Sequence, residues 1–267
     1  MDEKILGGIS KSKYVCFLPF RGEFGWYIMT FVKRFHGYKH ENKIVCIKKG
    51  HECLFPTASG FFYEWNDIHD NEKAGIVAAN DEDVIKAMVV KEFGEDVFFV
   101  SPNEASWDEK TSLAEYTFVP ENKTNNNLNV DIVIFPRMRN IDSHRNWKKE
   151  NWQLFVNTVT ANGFTVGICG AKETSYQLDN VLYNSYDYVD VDSDVEMIRN
   201  SKLVIAQESG LLYLSFMCKK PTIVIDHYNW LCMHRDLAVP FKVSSHFDAP
   251  DLLASDVLKF LKTGILE

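Results

Sequence analysis

The chain has 267 residues, 46% of them apolar and 25% charged, with a formal net charge of −8. That balance belongs to one large or two ordinary globular domains and excludes a disordered tail or a fibrous repeat. The acid excess excludes a general nucleic-acid or anionic-membrane binder, which needs a basic field, and no apolar run approaches the ~18 residues of a membrane span.

The start, Met1-Asp-Glu-Lys4, has neither the basic nor the apolar region of a secretory signal. Cys16, Cys46, Cys53, Cys169, Cys218 and Cys232 show no CxxC pair and mostly lie in or beside apolar runs. Free thiols and a cytoplasmic location are therefore expected. Tyr14-Val-Cys-Phe-Leu18 is a continuous apolar run, the pattern of a strand buried on both faces. After a turn at Pro19–Gly25, Ile28, Phe31, Val32 and Phe35 fall at i, i+3, i+4 and i+7, one face of a helix. Ile44–Ile47 predicts the next strand, and a helix at Val84–Phe93 and a strand at Val97–Val100 continue the alternation.

Residues 121–129, polar and Asn-rich without periodicity, read as a linker. The βα rhythm then restarts. The pattern predicts strand Val130–Phe135, a helix presenting Trp152, Phe155, Val156 and Val159, and strand Phe164–Cys169. Next come a helix at Val195–Asn200, strand Leu203–Ala206, a helix after Gly210 and strand Thr222–Ile225. A last helix over about 250–262 is opened by Pro250-Asp251 and stopped by Gly264. This alternation predicts an α/β protein of two Rossmann-like domains facing across a cleft, over 1–125 and 130–248. The helix of 249–267 is expected to pack back on the first domain, and one continuous sheet is the alternative.

Ser209-Gly210 stands at a strand-to-helix turn, where backbone N–H groups and the positive helix end can hold a phosphate. The competing reading is a tight turn with an ordinary Ser cap. Glu208 and Leu211 flank this turn. Arg137 and Arg139 sit at the C-terminal end of a strand, where open α/β sheets bind ligands, and arginine suits bidentate phosphate contact. On a continuing strand the two would point to opposite faces, unless it stops at Pro136. Arg145 and Lys148 extend the basic set, and Gly170 and Lys172 lie on a second glycine turn that could pass close to a nucleotide. In the first half, Arg21-Gly22-Glu23-Phe24-Gly25 joins strand to helix. Glu23 is there a candidate general base, with Arg21, Gly22 and Gly25 around an acceptor. Asp190-Val-Asp192 has the DxD form of some metal sites, but Ser193-Asp-Val-Glu196 reads as a capping box that accounts for these acids. With no HxH or HxxxH grouping, no metal site is expected.

Residues 132–226 resemble the sugar-nucleotide-binding half of GT-B-fold glycosyltransferases, and are most similar to the bacterial heptosyltransferase-like group. Phe135-Pro-Arg-Met-Arg139, Asn146–Trp152, Val166–Gly170, Glu208–Tyr213 and Pro221–Ile225 carry the resemblance. It implies a nucleotide-diphosphate-sugar donor held at Ser209 and Gly210 near Gly170, and transfer of the sugar to a carbohydrate hydroxyl. It further implies inversion without metal or other cofactor, in glycan biosynthesis. Glu23 resembles the family's acidic base, although the usual residue is Asp beside Gly. A nucleotide-sugar epimerase and a non-catalytic nucleotide- or glycan-binding protein are the alternatives. A dehydrogenase is disfavoured, because no GxGxxG follows a strand.

Overall fold

The computed structural model describes residues 11–20, 24–63, 82–102, 119–121, 126–140, 143–187, 190–207, 209–225, 241–244 and 248–266. The chain divides into two compact units, Met1–Ser112 and Leu113–Glu267. The end of the expected linker belongs to the second unit. The Glu196 carboxylate accepts from the Asn126 N–H at 3.1 Å and the Leu128 N–H at 3.2 Å, and Leu128 is fully buried.

The first unit is a parallel sheet of β1 (Tyr14–Phe17), β2 (Lys43–Cys46), β3 (Gly60–Phe62) and β4 (Val97–Val100), in the order β3-β2-β1-β4. β1 lies inside the sheet, and Val15, Cys16 and Phe17 are fully buried, as its unbroken apolar run requires. Cys16 and Cys46 meet across β1 and β2 as free thiols, with sulfurs 3.8 Å apart. Helix α1 follows as Phe24–Trp26, Tyr27–Val32 and Lys33–Gly37, its middle segment π-helical. The sequence predicts one buried face there, but all six residues Tyr27–Val32 are buried. Gly25, expected in the turn before the helix, is a buried member of its first turn. At the other end, the buried Lys43 ammonium donates to the Phe35 and Tyr38 carbonyls, both at 3.1 Å. It thus satisfies acceptors that a helix C-terminus leaves open. Helix α2 (Glu82–Phe93) adds Ile85 and Val89 to the core of Cys16, Leu18, Ile44, Cys46 and Phe62.

His36 makes this unit sensitive to acid. Its Nε2–H donates to the Leu54 carbonyl at 2.8 Å. Burial, helped by Lys43 and opposed by that bond, lowers its pKa to about 4. The unfolded chain therefore takes up the proton first. The contribution is complete above pH 6.5 and is lost as the pH falls from there towards 4, up to about 3 kcal/mol in all. Thermal melts of wild type and His36→Gln across pH 7.5 to 4 are expected to show a steeper loss in the wild type.

The second unit is a six-stranded parallel sheet of β5 (Ile132–Phe135), β6 (Val166–Ile168), β7 (Tyr183–Asn184), β8 (Leu203–Gln207), β9 (Thr222–Ile225) and β10 (Phe241–Ser244). Their order is β10-β9-β8-β5-β6-β7. Helix α3 (Lys149–Ala161) buries Trp152, Phe155, Val156 and Val159, the face its periodicity predicts. Helices α4 (Val191–Asn200), α5 (Gly210–Met217) and α6 (Pro250–Thr263) complete the unit. The final helix, expected on the first domain, instead gives Leu253, Ala254, Val257 and Phe260 to the second unit's core. There they join α3 over Ile132, Ile134, Ile205 and Ile223. Gly264 ends α6 in the left-handed conformation, φ 73°. On the opposite face Met197 of α4 crosses Gly167, leaving no room for a side chain there. The expected capping box does not form. α4 begins three residues earlier, where the Asp190 carboxylate accepts from the Ser193 N–H at 2.7 Å, and Glu196 is engaged by the linker.

Candidate functional site

The chain reverses direction in the middle of the second sheet. From β5 it passes through α3 to β6 on one side, and from β8 through α5 to β9 on the other. β5 and β8 are neighbours, paired from Ile132↔Leu203 to Phe135↔Ala206. Their C-terminal ends, Pro136-Arg137 and Gln207 with Ser209-Gly210, therefore border the crevice in which open α/β sheets take ligands. The first sheet reverses between β1 and β4. Arg21, Gly22 and Glu23 follow β1 in sequence after Leu18-Pro-Phe20; they and Glu208 lie outside the described residues.

Strand β5 stops at Phe135, as Pro136 suggests, and the arginines after it are held by one side chain. Arg137 is only 4% exposed, and its guanidinium donates to Asn146 Oδ1. The same oxygen accepts from the Arg139 N–H at 3.3 Å, while Asn146 Nδ2 donates to the Arg139 carbonyl at 2.7 Å. Arg137 also forms an antiparallel bridge with Ser175. The free bidentate arginine of the sequence reading is thus a positioned, mostly buried one at 137, with Arg139 half-buried beside it. Asn146→Ala removes all three contacts, and titration calorimetry with ADP is expected to show about tenfold weaker binding, the equivalent of one charge-assisted hydrogen bond.

Gln207, fully buried at the end of β8, ties down the basic segment. Its Nε2 donates to the Arg145 carbonyl, and its Oε1 accepts from Trp152 Nε1 at 3.3 Å. Arg145 thereby stays beside the crevice at the end of the short turn Ser143–Arg145. Lys148 and Lys172 are exposed, Lys148 as the residue before α3 and Lys172 in the turn Lys172–Thr174.

Ser209 is the N-cap of α5 by backbone conformation, φ −156° and ψ 169°, yet its hydroxyl caps nothing. Ser209 Oγ is buried without a hydrogen-bond partner. An N-cap serine ordinarily accepts from an N–H of the first helical turn. The ordinary-cap reading therefore fails, and first-turn N–H groups of α5 are left for another acceptor. Gly170 approaches the same place from β6. With φ +133°, a Cβ on it would stand 2.5 Å from Ser175 Oγ and 3.3 Å from Leu211 Cδ1. The glycine turn, the start of α5 and the Ser175 segment bridged to Arg137 thus come close enough to leave no room for a side chain at Gly170.

The structure brings together Arg137, Arg139, Arg145, Gly170, Ser209, Gly210 and Leu211 at one sheet edge. Sequence reasoning missed Asn146, Gln207 and Ser175. Gln207 was signalled only by an amide closing an apolar run, and Asn146 by its place inside the basic segment. Among the described residues no group of three or more His, Cys, Asp or Glu side chains could hold a metal ion. A shallow depression lined by Ser12, Lys13, Lys39, His40, Glu41 and Asn42 lies at the opposite end of the first sheet. His40 is engaged there with Asn42 and the Ser12 carbonyl.

No family model and no curated protein sequence matches the chain. Solved structures do match it. The E. coli ADP-heptose lipopolysaccharide heptosyltransferase II superposes with a TM-score of 0.59 at 11% identity, over 94% of this chain and 99% of that one. The chain has the fold of the heptosyltransferases. E. coli heptosyltransferase WaaC with ADP gives a TM-score of 0.55 at 9% identity, over 94% and 100% of the two chains. A family 9 glycosyl transferase from Veillonella parvula gives 0.54 at 9% identity, over 94% and 97%. The heptosyltransferase-like α/β architecture therefore covers nearly the whole chain, beyond the 132–226 segment that carried the sequence resemblance.

Proposed function

We propose that the protein is a cytoplasmic GT-B glycosyltransferase of glycan biosynthesis, with 1–125 as the acceptor-side domain and 130–248 as the sugar-nucleotide domain. It moves a sugar from a nucleotide-diphosphate donor to a carbohydrate hydroxyl, inverting the anomeric centre without a metal. The observation that carries this reading is the uncapped Ser209 hydroxyl, at the positive end of α5 and at the reversal point of the second sheet. A diphosphate there accepts from the first-turn N–H groups of α5 and the Ser209 hydroxyl. Arg137, Arg139 and Arg145 supply the positive field that stabilises the departing charge, the electrostatic work a metal does elsewhere. Glu208, Leu211, Gly170, Lys148 and Lys172 complete the donor surroundings. Glu23 removes the proton from the acceptor hydroxyl, and Arg21 and Gly22 beside it in sequence belong to the acceptor side.

No helix among the described residues is long and apolar enough to cross a membrane. Sugar nucleotides with different bases, offered with and without carbohydrate acceptors in the presence of EDTA, test the reading through product analysis. Acceptor-dependent release of nucleoside diphosphate is expected. Isomerised donor without an acceptor would mean an epimerase. Tight binding with every donor left intact would mean a binding protein.

A further inference from the structure

At the C-terminal edge of the first sheet, the ends of three neighbouring strands bring together side chains that the transfer reading does not use. Tyr27 opens the π-helical segment of α1, which follows β1. His51 and Glu52 stand at the short turn Glu52–Leu54 after β2, and Tyr63 directly follows β3. π-Helical turns inside α-helices are rare and concentrate at functional sites. In this one, the Tyr27 hydroxyl lies 3.3 Å from His51 Nδ1, and the two ring centroids are 5.4 Å apart. Phe24, next in sequence to Glu23, packs edge-on against the same imidazole at 6.2 Å.

Glu52 fixes the outer part of this group. One carboxylate oxygen accepts from the Gly50 N–H and the other from the Tyr63 hydroxyl, both at 2.7 Å. Tyr63 is 43% exposed. Its ring stacks beside that of Phe61, with centroids 6.1 Å apart and planes 25° from parallel. Phe61 pairs with Val45, Val45 pairs with Phe17, and Phe17 packs on Phe31 and Phe35 of α1. Side chains in register share a face of a sheet, so Phe61 and Tyr63, two residues apart, lie on the α1 face. Phe62 between them points into the core on the other face. Two aromatic rings and a carboxylate are thus fixed side by side at the surface.

Stability does not account for this arrangement. A tyrosine hydroxyl at the surface finds water without help, and holding the exposed ring in one place costs rotamer freedom. Such a cost is recovered where a ligand meets a preorganised surface. The surface has the chemistry of a sugar ring, whose C–H face packs on aromatic rings and whose hydroxyls donate to a carboxylate. The Glu52 oxygens, each taking one bond, keep further lone pairs for such donors. We propose that Tyr63, Phe61 and Glu52 form the subsite for a pyranose ring of the acceptor: its C–H face lies on the two aromatic rings, and an adjacent hydroxyl donates to Glu52. The proposal rests on the reading of the first unit as the acceptor side.

Saturation-transfer NMR of the full chain with the methyl β-glycosides of glucose, galactose and N-acetylglucosamine, with and without ADP and UDP, tests this. Saturation is expected to reach the ring C–H protons of at least one glycoside. Tyr63→Ala, which removes the ring, and Glu52→Gln, which removes the charge, are each expected to weaken that binding about tenfold. Tyr63→Phe keeps the ring and should bind nearly as wild type. The affinity for ADP, measured by calorimetry, should be the same in all four proteins, which a loss of general stability would not leave untouched. Glycoside binding that is equal in wild type, Tyr63→Ala and Glu52→Gln, or lost as fully in Tyr63→Phe as in Tyr63→Ala, overturns the subsite and leaves the acceptor reading standing. Wild type that contacts no glycoside under any of these conditions overturns the acceptor reading, and this proposal with it.

Discussion

Glu23→Gln is expected to lower kcat by about 10²–10⁴-fold, or about 3–5 kcal/mol of barrier, and to leave sugar-donor affinity nearly intact. The expectation comes from the position of its segment in the chain. β1 ends at Phe17 beside β4, at the reversal of the first sheet, and Glu23 immediately precedes the helix at Phe24. The sugar donor is proposed to be held by groups of the second unit, which leaves the first to supply the acceptor's base. Glutamine keeps the shape of the side chain and removes its basicity. An acid that serves only the start of α1 would affect melting by a few tenths of a kcal/mol to about 1 kcal/mol and leave the chemical step alone. Single-turnover kinetics with saturating donor separates the cases. An unchanged rate would make Glu23 a helix-start residue, and a lost donor affinity would move it to the nucleotide.

Gly170→Val should reduce nucleotide binding by about 100-fold or more, close to 3 kcal/mol. Two independent penalties meet at this position. A φ of +133° is one that L side chains rarely adopt, which costs about 1–3 kcal/mol. A Cβ would also press on Ser175 Oγ at 2.5 Å and Leu211 Cδ1 at 3.3 Å. The second penalty falls on the site, because Ser175 is bridged to Arg137 and Leu211 lies in the first turn of α5. Gly163 provides the control. It has φ +84°, and a Cβ added there would meet nothing within 4 Å, so Gly163→Ala carries the backbone penalty without the crowding. It should lower the melting temperature and leave ADP binding unchanged. Equal binding losses in the two variants would mean that Gly170 acts through general stability.

What the sequence made legible follows from where each element is buried. Of the strands inside the sheets, β1, β2, β5, β8 and β9 read directly because burial on two faces needs continuous apolar runs. β3 and β7 lie at sheet edges and have three and two residues, too short for periodicity to register, and β10 at another edge reads Phe241-Lys-Val-Ser244, without a continuous apolar run. The face of α3 was predicted residue by residue, because its helix is regular and half exposed. In α1 the predicted Ile28, Phe31, Val32 and Phe35 are buried, but Tyr27, Met29 and Thr30 are buried with them, because the π-helical segment changes the period and its whole turn lies inside. The supposed capping box failed because two acids competed for one role. Asp190 captured the Ser193 N–H, and Glu196 was drawn to backbone donors of the linker nearly 70 residues earlier in the chain.

At the candidate site, chemically conspicuous residues were legible and the ones that place them were not. Arg137, Gly170, Ser209 and Gly210 stand out by type and position. Asn146 and Gln207 are neutral amides whose importance depends on contacts between segments far apart in sequence. Arg137 itself shows the limit of the sequence argument, since alternation along a strand cannot reveal that its guanidinium is buried against Asn146.

The central claim is that the start of α5 binds a diphosphate. Titration calorimetry of wild type and Gly210→Val with ADP, UDP and GDP tests it most directly. Valine is tolerated at the first position of a helix but places a branched side chain where the phosphates would approach the backbone. The account predicts that at least one nucleoside diphosphate binds wild type and binds the folded variant at least tenfold more weakly, about 1.4 kcal/mol. Unchanged binding of every nucleotide in a folded Gly210→Val protein would contradict it.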